Sequence, residues 1–275
     1  MIDFSIVTAS YNYGHYIGEC LESVAAQEGV HVEHLVMDAG STDDTLEVVG
    51  RYPHASLFQE ADKGMSDGIN KGFRKAQGRW VMWLNADDRL RPGALAEVKR
   101  FAEANVDADV IFGCWNFVDG EGGFIRRMSL FPFRPRILAN HGCYIASTST
   151  FYRRESTIGE GHLLSVNFGC VMDGEFFCRL VRAGKRFSYL PVVLADFRLH
   201  DESISQRNLE SSDVNGILAR QKQLAESTTI RRVYGWVLFK DEMLNSIVEG
   251  VLYHVFRVQK GILKWWHRKD CREPE

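Results

Sequence analysis

Two adjacent carboxylates, Asp87 and Asp88, follow one of the most apolar runs of the chain, in the segment WVMWLNADD. Neighbouring carboxylates at the mouth of a buried strand repel each other unless a positive group lies between them. A divalent cation that also holds phosphates meets this requirement, because Mg²⁺ and Mn²⁺ prefer oxygen ligands and take only one or two carboxylates from the protein. For either acid taken alone, a polar strand end or a helix cap is the alternative. The pair therefore predicts a metal that holds a diphosphate.

Polar residues follow the other predicted strands of the first half in the same way. Asp38 ends the segment VMD, and Tyr11 and Asn12 follow the segment TAS. Ligands of parallel sheets bind beyond the carboxyl ends of the strands. We therefore expect these side chains to line the same crevice as the two acids at 87 and 88.

The two common phosphate-binding loops are absent from the sequence. No GxxxxGK[ST] motif occurs, and the first strand is followed by YNYGHY where a dinucleotide-binding protein carries GxGxxG. This leaves a diphosphate held by a metal as the better interpretation of the acidic pair.

The elements that must position these residues alternate between strand and helix over the first 115 residues. The strands are predicted at 4–10, 33–40, 55–62, 79–88 and 108–115, and the helices at 16–29, 42–52, 65–78 and 91–105. This alternation predicts an α/β fold with a mostly parallel central sheet flanked by helices. Further on we expect β-structure and loops at 116–152 with no helix at Pro132 or Pro135, a helix at 172–184, two short strands within 187–200 and a helix at 209–226.

The composition of the 275 residues is that of a soluble globular protein, with 45% hydrophobic and 25% charged residues and a net charge of −3. This charge gives no reason to expect a nucleic-acid partner. No secretory signal and no membrane-spanning run is recognised. The six cysteines form no CxxC pair and no zinc-finger spacing. We therefore expect free thiols in a reducing compartment and a cytoplasmic protein.

Six segments occur in a family order, and together they resemble the family 2 glycosyltransferases of the GT-A fold. The segments are SIVTASYN, VMDAGSTDDT, EADKGMSDGINKG, GRWVMWLNADD, VMDGEFFCRLVRAG and LADFRLHDESIS. The similarity is to enzymes that build bacterial cell-surface polysaccharide. It covers residues 1–205 and implies a nucleotide-sugar-binding half at 1–115 and an acceptor half at 116–205. Residues 206–275 are then a helical C-terminal extension.

The resemblance implies an inverting transfer from a nucleotide-diphosphate sugar, with UDP-sugar favoured, to a hydroxyl of a glycan or lipid-linked acceptor. It also implies a Mn²⁺ or Mg²⁺ cofactor and no covalent nucleophile. The residues that it assigns to the nucleotide are Ala9, Tyr11 and Asn12 at the base and ribose, Asp38 as acceptor from the base, and Asp67 and Lys71 near the nucleotide or phosphate.

The metal motif resembles the family's DxD, although Asn85 stands at its first position. Asp87 is implied as the main metal ligand, and Asp88 shares that role or contacts the sugar. Asn85 still offers a hydrogen bond to a ribose or sugar hydroxyl. His200 corresponds to a third metal or diphosphate contact, and Arg198 binds phosphate or pairs with a nearby acid.

Asp173 corresponds to the family's general base, which takes the proton of the acceptor hydroxyl. A helix N-cap is the alternative, and we expect the helix N-terminus to lower the pKa of this carboxyl. Glu175 is the weaker candidate. The loop at 138–154 corresponds to the acceptor side, where His141 and Tyr144 face the acceptor or pack in the core.

The tail from 236 to 269 is predicted to form a basic amphipathic helix that ends at Trp265 and Trp266. Its apolar face is formed by residues 237, 244, 248, 251, 255, 258 and 262. Such a helix suits an anionic membrane surface and makes peripheral membrane contact an expectation. Packing on the core or on a second subunit is the alternative.

Two other functions remain open from the sequence. A sugar-1-phosphate nucleotidyltransferase shares the layered sheet and an acid-held metal, but TASYNYGHYIG lacks that class's Gly-rich loop with Arg or Lys. A non-catalytic nucleotide-sugar-binding protein is favoured only by Asn85.

Overall fold

The computed structural model of the chain describes residues 1–200, 214–234, 242–267 and 271–274. The strands in this part are β1 (Phe4–Ser10), β2 (Val32–Asp38), β3 (Ala55–Gln59), β4 (Trp80–Trp83), β5 (Arg89–Leu90), β6 (Val110–Val118), β7 (Phe124–Met128), β8 (Thr150–Arg153) and β9 (Phe187–Arg198). The α-helices are α1 (Gly14–Ala25), α2 (Thr45–Gly50), α3 (Met65–Lys75), α4 (Ala94–Ala104), α5 (Pro135–His141), α6 (Met172–Arg182), α7 (Val214–Tyr234) and α8 (Glu242–Trp266).

The strands form one sheet in the order β3-β2-β1-β4-β8-β6-β9-β5, and β7 pairs with the second half of β6. Strands β3, β2, β1 and β4 are parallel, and so are β6 and β9. Strand β8 runs antiparallel to both of its neighbours. The mostly parallel sheet predicted from the alternating pattern is therefore confirmed.

Both faces of the sheet are covered by helices, as the continuous apolar runs of its strands require. Side chains alternate along β1, so Phe4 and Ile6 lie on one face and Val7 lies on the other. Helices α1 and α4 pack on the face of Phe4 and Ile6. Helices α3, α5 and α6 pack on the face of Val7. The carboxyl ends of the strands are left to the loops that carry the candidate site.

Two local expectations are wrong, and proline explains both. Helix α5 begins at Pro135, where a helix was not expected, because the first helical position needs no N–H donor and suits the fixed φ of proline. Strand β9 is one strand where two were expected. The register between β6 and β9 shifts beside Gly113 and Cys114, and this irregularity accommodates Pro191 within the strand.

The C-terminal helices pack on the core of the first 200 residues. The predicted helix at 209–226 corresponds to α7, and its first five residues lie outside the described part of the chain. In α8 the side chains of Phe256 and Leu263 face the core, whereas Val255, Val258 and Ile262 of the predicted apolar face point outward. No helix in the described ranges is both long enough and apolar enough to cross a membrane.

The expectation of six free thiols is wrong, because Cys114 of β6 and Cys271 form a disulfide, with Cα atoms 6.5 Å apart. Cys20, Cys143, Cys170 and Cys178 are free. The stretch at 271–274 lies along β9, where Arg272 N donates to Pro191 O (3.0 Å) and Arg272 O accepts from Val193 N (2.8 Å). The two paired cysteines are 157 residues apart, so spacing rules could not reveal the bond.

Candidate functional site

The acids Asp87 and Asp88 lie in a turn between β4 and β5, and not at the end of a long strand as predicted. Strand β4 stops at Trp83, and Asp88 N closes the turn by donating to Asn85 O (3.1 Å). Leu84 N still donates to Val7 O (3.0 Å), which keeps the start of the turn against β1. The turn therefore emerges at the carboxyl edge of the parallel strands, as expected.

Asp87 pairs with His200, which follows β9. The Asp87 Oδ2 atom lies 2.9 Å from His200 Nε2, and both side chains are buried. The His200 ring packs against Tyr16 of α1, with ring centroids 4.5 Å apart. The fold thus brings Asp87 and His200 together although they are 113 residues apart in sequence. Such proximity is necessary for the shared metal role that was predicted for them.

Asp88 is fully buried and has both carboxylate oxygens occupied. Its Oδ1 accepts from Arg198 N (2.9 Å), and its Oδ2 accepts from Asn85 Nδ2 (2.9 Å). Burial, followed by the charge of Asp87, raises the pKa of Asp88 well above its usual range, and these hydrogen bonds oppose that shift. In this geometry Asp88 fixes the turn to β9, and the predicted contact with metal or sugar stays a prediction.

Arg198 is 1% exposed, and each of its guanidinium nitrogens has a protein partner. The Nε atom donates to Asp87 O (2.9 Å), Nη1 donates to Gly120 O (2.7 Å), and Nη2 donates to Glu19 Oε2 (2.7 Å). Of the two roles considered for Arg198, this geometry favours pairing with a nearby acid over binding phosphate. Arg198 joins α1, the turn after β4 and the β6–β7 hairpin.

Several buried polar atoms at this edge of the sheet have no hydrogen-bond partner in the described part of the chain. They are Ser10 Oγ at the end of β1, Trp83 Nε1 at the end of β4, Asn85 Oδ1 and His200 Nδ1. Buried polar groups in native proteins are nearly always paired, so an orphaned group calls for an explanation. Asn85 and His200 lie at the turn of Asp87 and Asp88, where a polar ligand would pair with their free atoms.

The loops after β1 and β2 are joined by hydrogen bonds. Asn12, with a φ of 57°, accepts from Thr42 N through Oδ1 and donates its N–H to Ser41 Oγ, both at 2.8 Å. Asp38 is buried and accepts from Gly40 N and Ser41 N through Oδ1, both at 2.9 Å. Asp38 therefore shapes its own loop, and its contact with a base stays a prediction.

The predicted base-binding residues Ala9 and Tyr11 lie beside this joined pair of loops. Tyr11 is 57% exposed, which leaves its ring free to stack on a planar group. Ala9 lies under α3, where a Cβ added to Gly68 would be 3.4 Å from the Ala9 Cβ. The tight approach of α3 to β1 is one turn further on, where a Cβ added to Gly72 would clash with Val7 Cγ1.

Asp67 and Lys71 form an ion pair on the first turns of α3, with Lys71 Nζ 3.7 Å from Asp67 Oδ2. Asp67 also accepts from Lys63 N (3.1 Å), and Lys71 donates to Ala61 O. Both side chains thus brace the loop between β3 and α3. Their predicted proximity to the nucleotide is not tested by these contacts.

Asp173 lies in the first turn of α6 but is not its N-cap, which is Val171. Its Oδ1 accepts from Gly174 N (2.7 Å), and burial raises the pKa of the carboxyl. The expectation of a lowered pKa is wrong, because desolvation outweighs the helix terminus here. The preceding Met172 contacts Ser66 (2.9 Å from Oγ to Sδ), which joins the start of α6 to the start of α3.

The remaining candidates of the acceptor side have structural contacts. Glu175 is buried, bonds Arg179 Nε (3.0 Å) and accepts from the Tyr234 hydroxyl (2.8 Å). The Tyr144 hydroxyl accepts from Arg134 N (2.7 Å) while its ring lies in the core. Burial, together with nearby lysine and arginine side chains, lowers the pKa of His141 to about 4.

Sequence reasoning missed Glu19 and Trp83. Glu19 accepts from both Arg198 and Arg89 through Oε2, at 2.7 and 2.9 Å. The only available signal was indirect, since a buried arginine requires a counter-charge. Trp83 was recognised only as part of an apolar strand, and nothing in the sequence distinguishes its indole N–H from that of a core tryptophan.

A divalent cation fits the Asp87–His200 pair. Within the described ranges no group of three or more acidic, histidine or cysteine side chains is placed to hold a metal. Two protein ligands are nevertheless sufficient when substrate phosphates complete the shell. Asp87 Oδ2 and His200 Nε2 are hydrogen-bonded to each other at 2.9 Å, so both atoms already face one point, and a cation would replace the proton between them.

Comparison with known families gives a match to the model described as Glycosyl transferase family 2 over residues 5–159. A PGL/p-HBAD biosynthesis glycosyltransferase of Mycobacterium tuberculosis is 32% identical over 116 residues, which cover 40% of this chain and 45% of that protein. The chondroitin synthase of Escherichia coli is 24% identical over 215 residues, or 77% of this chain and 31% of the synthase. The chain thus matches less than half the length of either relative.

Solved structures share the fold. TarS 1–349 of S. aureus in complex with UDP aligns with a TM-score of 0.61 and 22% identity, covering 82% of this chain and 71% of TarS 1–349. The mannosyltransferase PcManGT from Pyrobaculum calidifontis, in complex with GDP-Man and Mn²⁺, aligns with a TM-score of 0.56 and 16% identity, covering 95% and 84%. The predicted GT-A-type architecture is confirmed, and the matched family model shows that the chain belongs to glycosyl transferase family 2.

Proposed function

We propose that this chain is an inverting, metal-dependent glycosyltransferase that moves a sugar from a nucleotide-diphosphate sugar to a hydroxyl of a glycan or lipid-linked acceptor. Synthesis of cell-surface polysaccharide is the proposed setting. The donor is proposed to be a UDP-sugar, which agrees with the UDP and UDP-GlcNAc bound by TarS.

The observation that carries the proposal is the buried Asp87–His200 pair, together with the unpartnered polar atoms of Asn85 and His200 beside it. Asn85 Oδ1 is an acceptor, and His200 Nδ1 donates or accepts according to its tautomer. A sugar nucleotide offers hydroxyl and phosphate oxygens that would pair with atoms of both kinds.

Asp87 and His200 are the residues proposed to hold Mn²⁺ or Mg²⁺, together with oxygens of the diphosphate. A metal bound there would neutralise the negative charge that develops on the leaving diphosphate. Arg198 and Asp88 hold the turn so that Asp87 keeps its orientation. PcManGT, with Mn²⁺ in its complex, supports a metal in this fold.

Asp173 is proposed to accept the proton of the acceptor hydroxyl as that oxygen attacks the anomeric carbon. The raised pKa of Asp173 suits this role, because a base with a pKa nearer to the working pH accepts a proton more effectively. The contact between Met172 and Ser66 ties this base to α3, which lies against the end of β1.

The proposal is tested by thermal stability of the full chain with UDP and Mn²⁺. We expect a higher melting temperature that EDTA abolishes, and linkage gives about 2.7 kcal/mol at a ligand concentration a hundredfold above Kd. Asp87→Asn should lose the metal-dependent shift and keep the melting temperature of the free protein. No shift with any nucleoside diphosphate in the wild type would contradict the proposal.

Product analysis separates the proposal from its two alternatives. A panel of nucleotide sugars should yield the nucleoside diphosphate when the acceptor or water takes the sugar. Release of pyrophosphate from a nucleoside triphosphate and a sugar 1-phosphate would instead identify a nucleotidyltransferase. Donor binding with no product from any donor would identify a non-catalytic binding protein.

A further inference from the structure

Glu226 of helix α7 is a buried acid in the C-terminal extension. Its side chain is 10% exposed, whereas that of Lys222, one turn earlier and 3.9 Å away, is 62% exposed. A carboxylate with so little access to water has to be hydrogen-bonded within the protein. Its two oxygens accept from three consecutive backbone N–H groups. Oε1 accepts from Gly169 N (3.1 Å), and Oε2 accepts from Cys170 N (2.9 Å) and Val171 N (3.2 Å).

The three N–H groups belong to the segment that leads into α6, and Val171 is the N-cap of that helix. The N–H of an N-cap residue is commonly bound by the side chain of a Glu at the third helical position. In α6 that position is Gly174, and valine has no side-chain acceptor of its own. Glu226 therefore caps α6 from another helix, and its negative charge is favourable at a helix N-terminus.

The same face of α7 makes two further contacts with the first turn of α6. Ile230, four residues after Glu226, is buried, and a Cβ added to Gly174 would be 3.8 Å from its Cδ1 atom. Tyr234, four residues further on, donates its hydroxyl to Glu175 Oε1 (2.8 Å). Residues at a spacing of four lie on one face of a helix. Helix α7 thus holds the chain immediately before and immediately after Asp173.

We propose that Glu226 is a positioning residue for Asp173, an inference that rests on the proposed role of Asp173 as general base. The Asp173 Oδ1 atom accepts from Gly174 N (2.7 Å), so the direction of this carboxylate follows the backbone at the start of α6. Glu226 fixes that backbone through the three N–H groups before it. It acts through the main chain and needs no contact with donor or acceptor. The C-terminal extension thereby contributes to the transfer reaction.

The direct test is Glu226→Gln in the full chain. The amide keeps the length of the side chain but has one acceptor oxygen, and its NH₂ group would face backbone N–H donors. We measure release of UDP with Mn²⁺ over a panel of UDP-sugars. We expect kcat to fall about 10–100-fold, because a displacement of about 1 Å at a reacting group has effects of this size. The KM for the donor and the thermal shift with UDP and Mn²⁺ should stay unchanged.

Glu97→Gln is the matched control for a loss of stability alone. Glu97 of α4 is also buried, accepts from both Nη atoms of Arg272 (2.9 Å each), and lies on the face of the sheet opposite to α6. Its replacement should lower the melting temperature and leave kcat unchanged. A wild-type kcat in Glu226→Gln, or an equal fall of kcat in both variants, would overturn the proposal. Tyr234→Phe is a milder second variant that should lower kcat less, again with an unchanged KM.

Hydrogen exchange of the peptide 165–175 tests the contact without any activity measurement. The N–H groups of residues 169–171 should exchange slowly in the wild type, about tenfold or more faster in Glu226→Gln, and at the wild-type rate in Asp173→Asn. Unchanged exchange in Glu226→Gln would overturn the positioning role and leave the base assignment standing. Transfer retained by Asp173→Asn, or no release of UDP by the wild type, would overturn the base assignment and the positioning role together.

Discussion

The surroundings of Asp87 and of Asp173 differ in the forces that hold them. Asp87 lies in a turn to which Arg198 of β9 donates a hydrogen bond, and Arg198 is itself held by Glu19 of α1 and by Gly120 O of the β6–β7 hairpin. Asp173 accepts a backbone hydrogen bond from Gly174 N, and burial raises the pKa of its carboxyl. Burial and then the charge of Asp173 raise the pKa of Cys143 and of Tyr152. The polar network fixes the direction of a ligand, whereas burial shifts the pKa of a carboxyl.

This contrast agrees with the different tasks that are proposed for the two acids. A metal ligand must remain ionised and oriented, and polar contacts serve that purpose. A general base works best with a pKa closer to the ambient pH, and desolvation provides it. The pKa of Tyr152 is also raised, first by burial and then by the charge of Asp173, which reflects the same apolar region.

The largest expected effect is that of Asp173→Asn, which tests the apolar side of the comparison. Loss of a general base should lower kcat about 10²–10⁴-fold, while the UDP and Mn²⁺ thermal shift is retained. Desolvation raises the pKa of Asp173, so its ionised form destabilises the folded protein at any pH above the folded-state pKa. This destabilisation decreases as the pH falls through that pKa and is absent below the ordinary aspartate pKa of 3.8. The melting temperature of the variant at neutral pH should therefore be equal or higher.

The pH dependence of the wild type follows from the same shift. The base role proposed for Asp173 requires its ionised form, so kcat should fall as the pH decreases through its pKa. Because that pKa is raised, the fall should begin at a higher pH than for an ordinary aspartate. A kcat profile that is flat down to the ordinary aspartate pKa would contradict the assignment of the base.

A smaller effect is expected from Arg198→Lys, which tests the polar side. Lysine cannot reproduce the three-way contact of the guanidinium. We expect a loss of about 2–4 kcal/mol in unfolding free energy, because two buried carbonyls lose their donor. The affinity of the same variant for UDP with Mn²⁺ should fall about tenfold. Reduced affinity with unchanged stability would show instead that Arg198 contacts the diphosphate.

The smallest effect is expected from Glu19→Gln. The amide keeps the shape of Glu19 but removes the charge that balances buried Arg198 and neighbouring Arg89. Because the Glu19 side chain is 45% exposed, water screens part of the loss, and we expect about 1 kcal/mol in denaturant unfolding. Glu47→Gln, in a pair exposed on both sides, is the control and should change stability less.

Much of the fold could be predicted from the sequence because its signals are local. Apolar runs of strand length, capped and glycine-terminated helices and their alternation identified β1 to β4 and α1 to α4. The segment WLNADD was also predicted to be a site, and the structure places its acids in a turn several residues after the strand. Pro191 and Pro135 misled the prediction, because their tolerated positions depend on strand register and helix phase.

The roles within the site depend on contacts between distant segments, and these could not be predicted. Arg198 reaches Glu19 across 179 residues of sequence, and Asp88 accepts from a backbone N–H 110 residues away. The direction of the Asp173 pKa shift was predicted wrongly, since sequence reveals a helix start but not the burial around it. The orphaned atoms of Trp83 and Asn85 are visible only once their neighbours are in place.

The stretch at 271–274 contacts three elements. Cys271 forms the disulfide with Cys114 of β6, and the Arg272 backbone forms hydrogen bonds with β9. Both Arg272 Nη atoms donate to the Glu97 carboxylate of α4, at 2.9 Å each. Dithiothreitol added during purification would reduce the disulfide and leave the hydrogen bonds to β9 and α4 in place. Samples prepared with and without this reductant would therefore be different materials, and rates measured on one should not be compared with rates measured on the other.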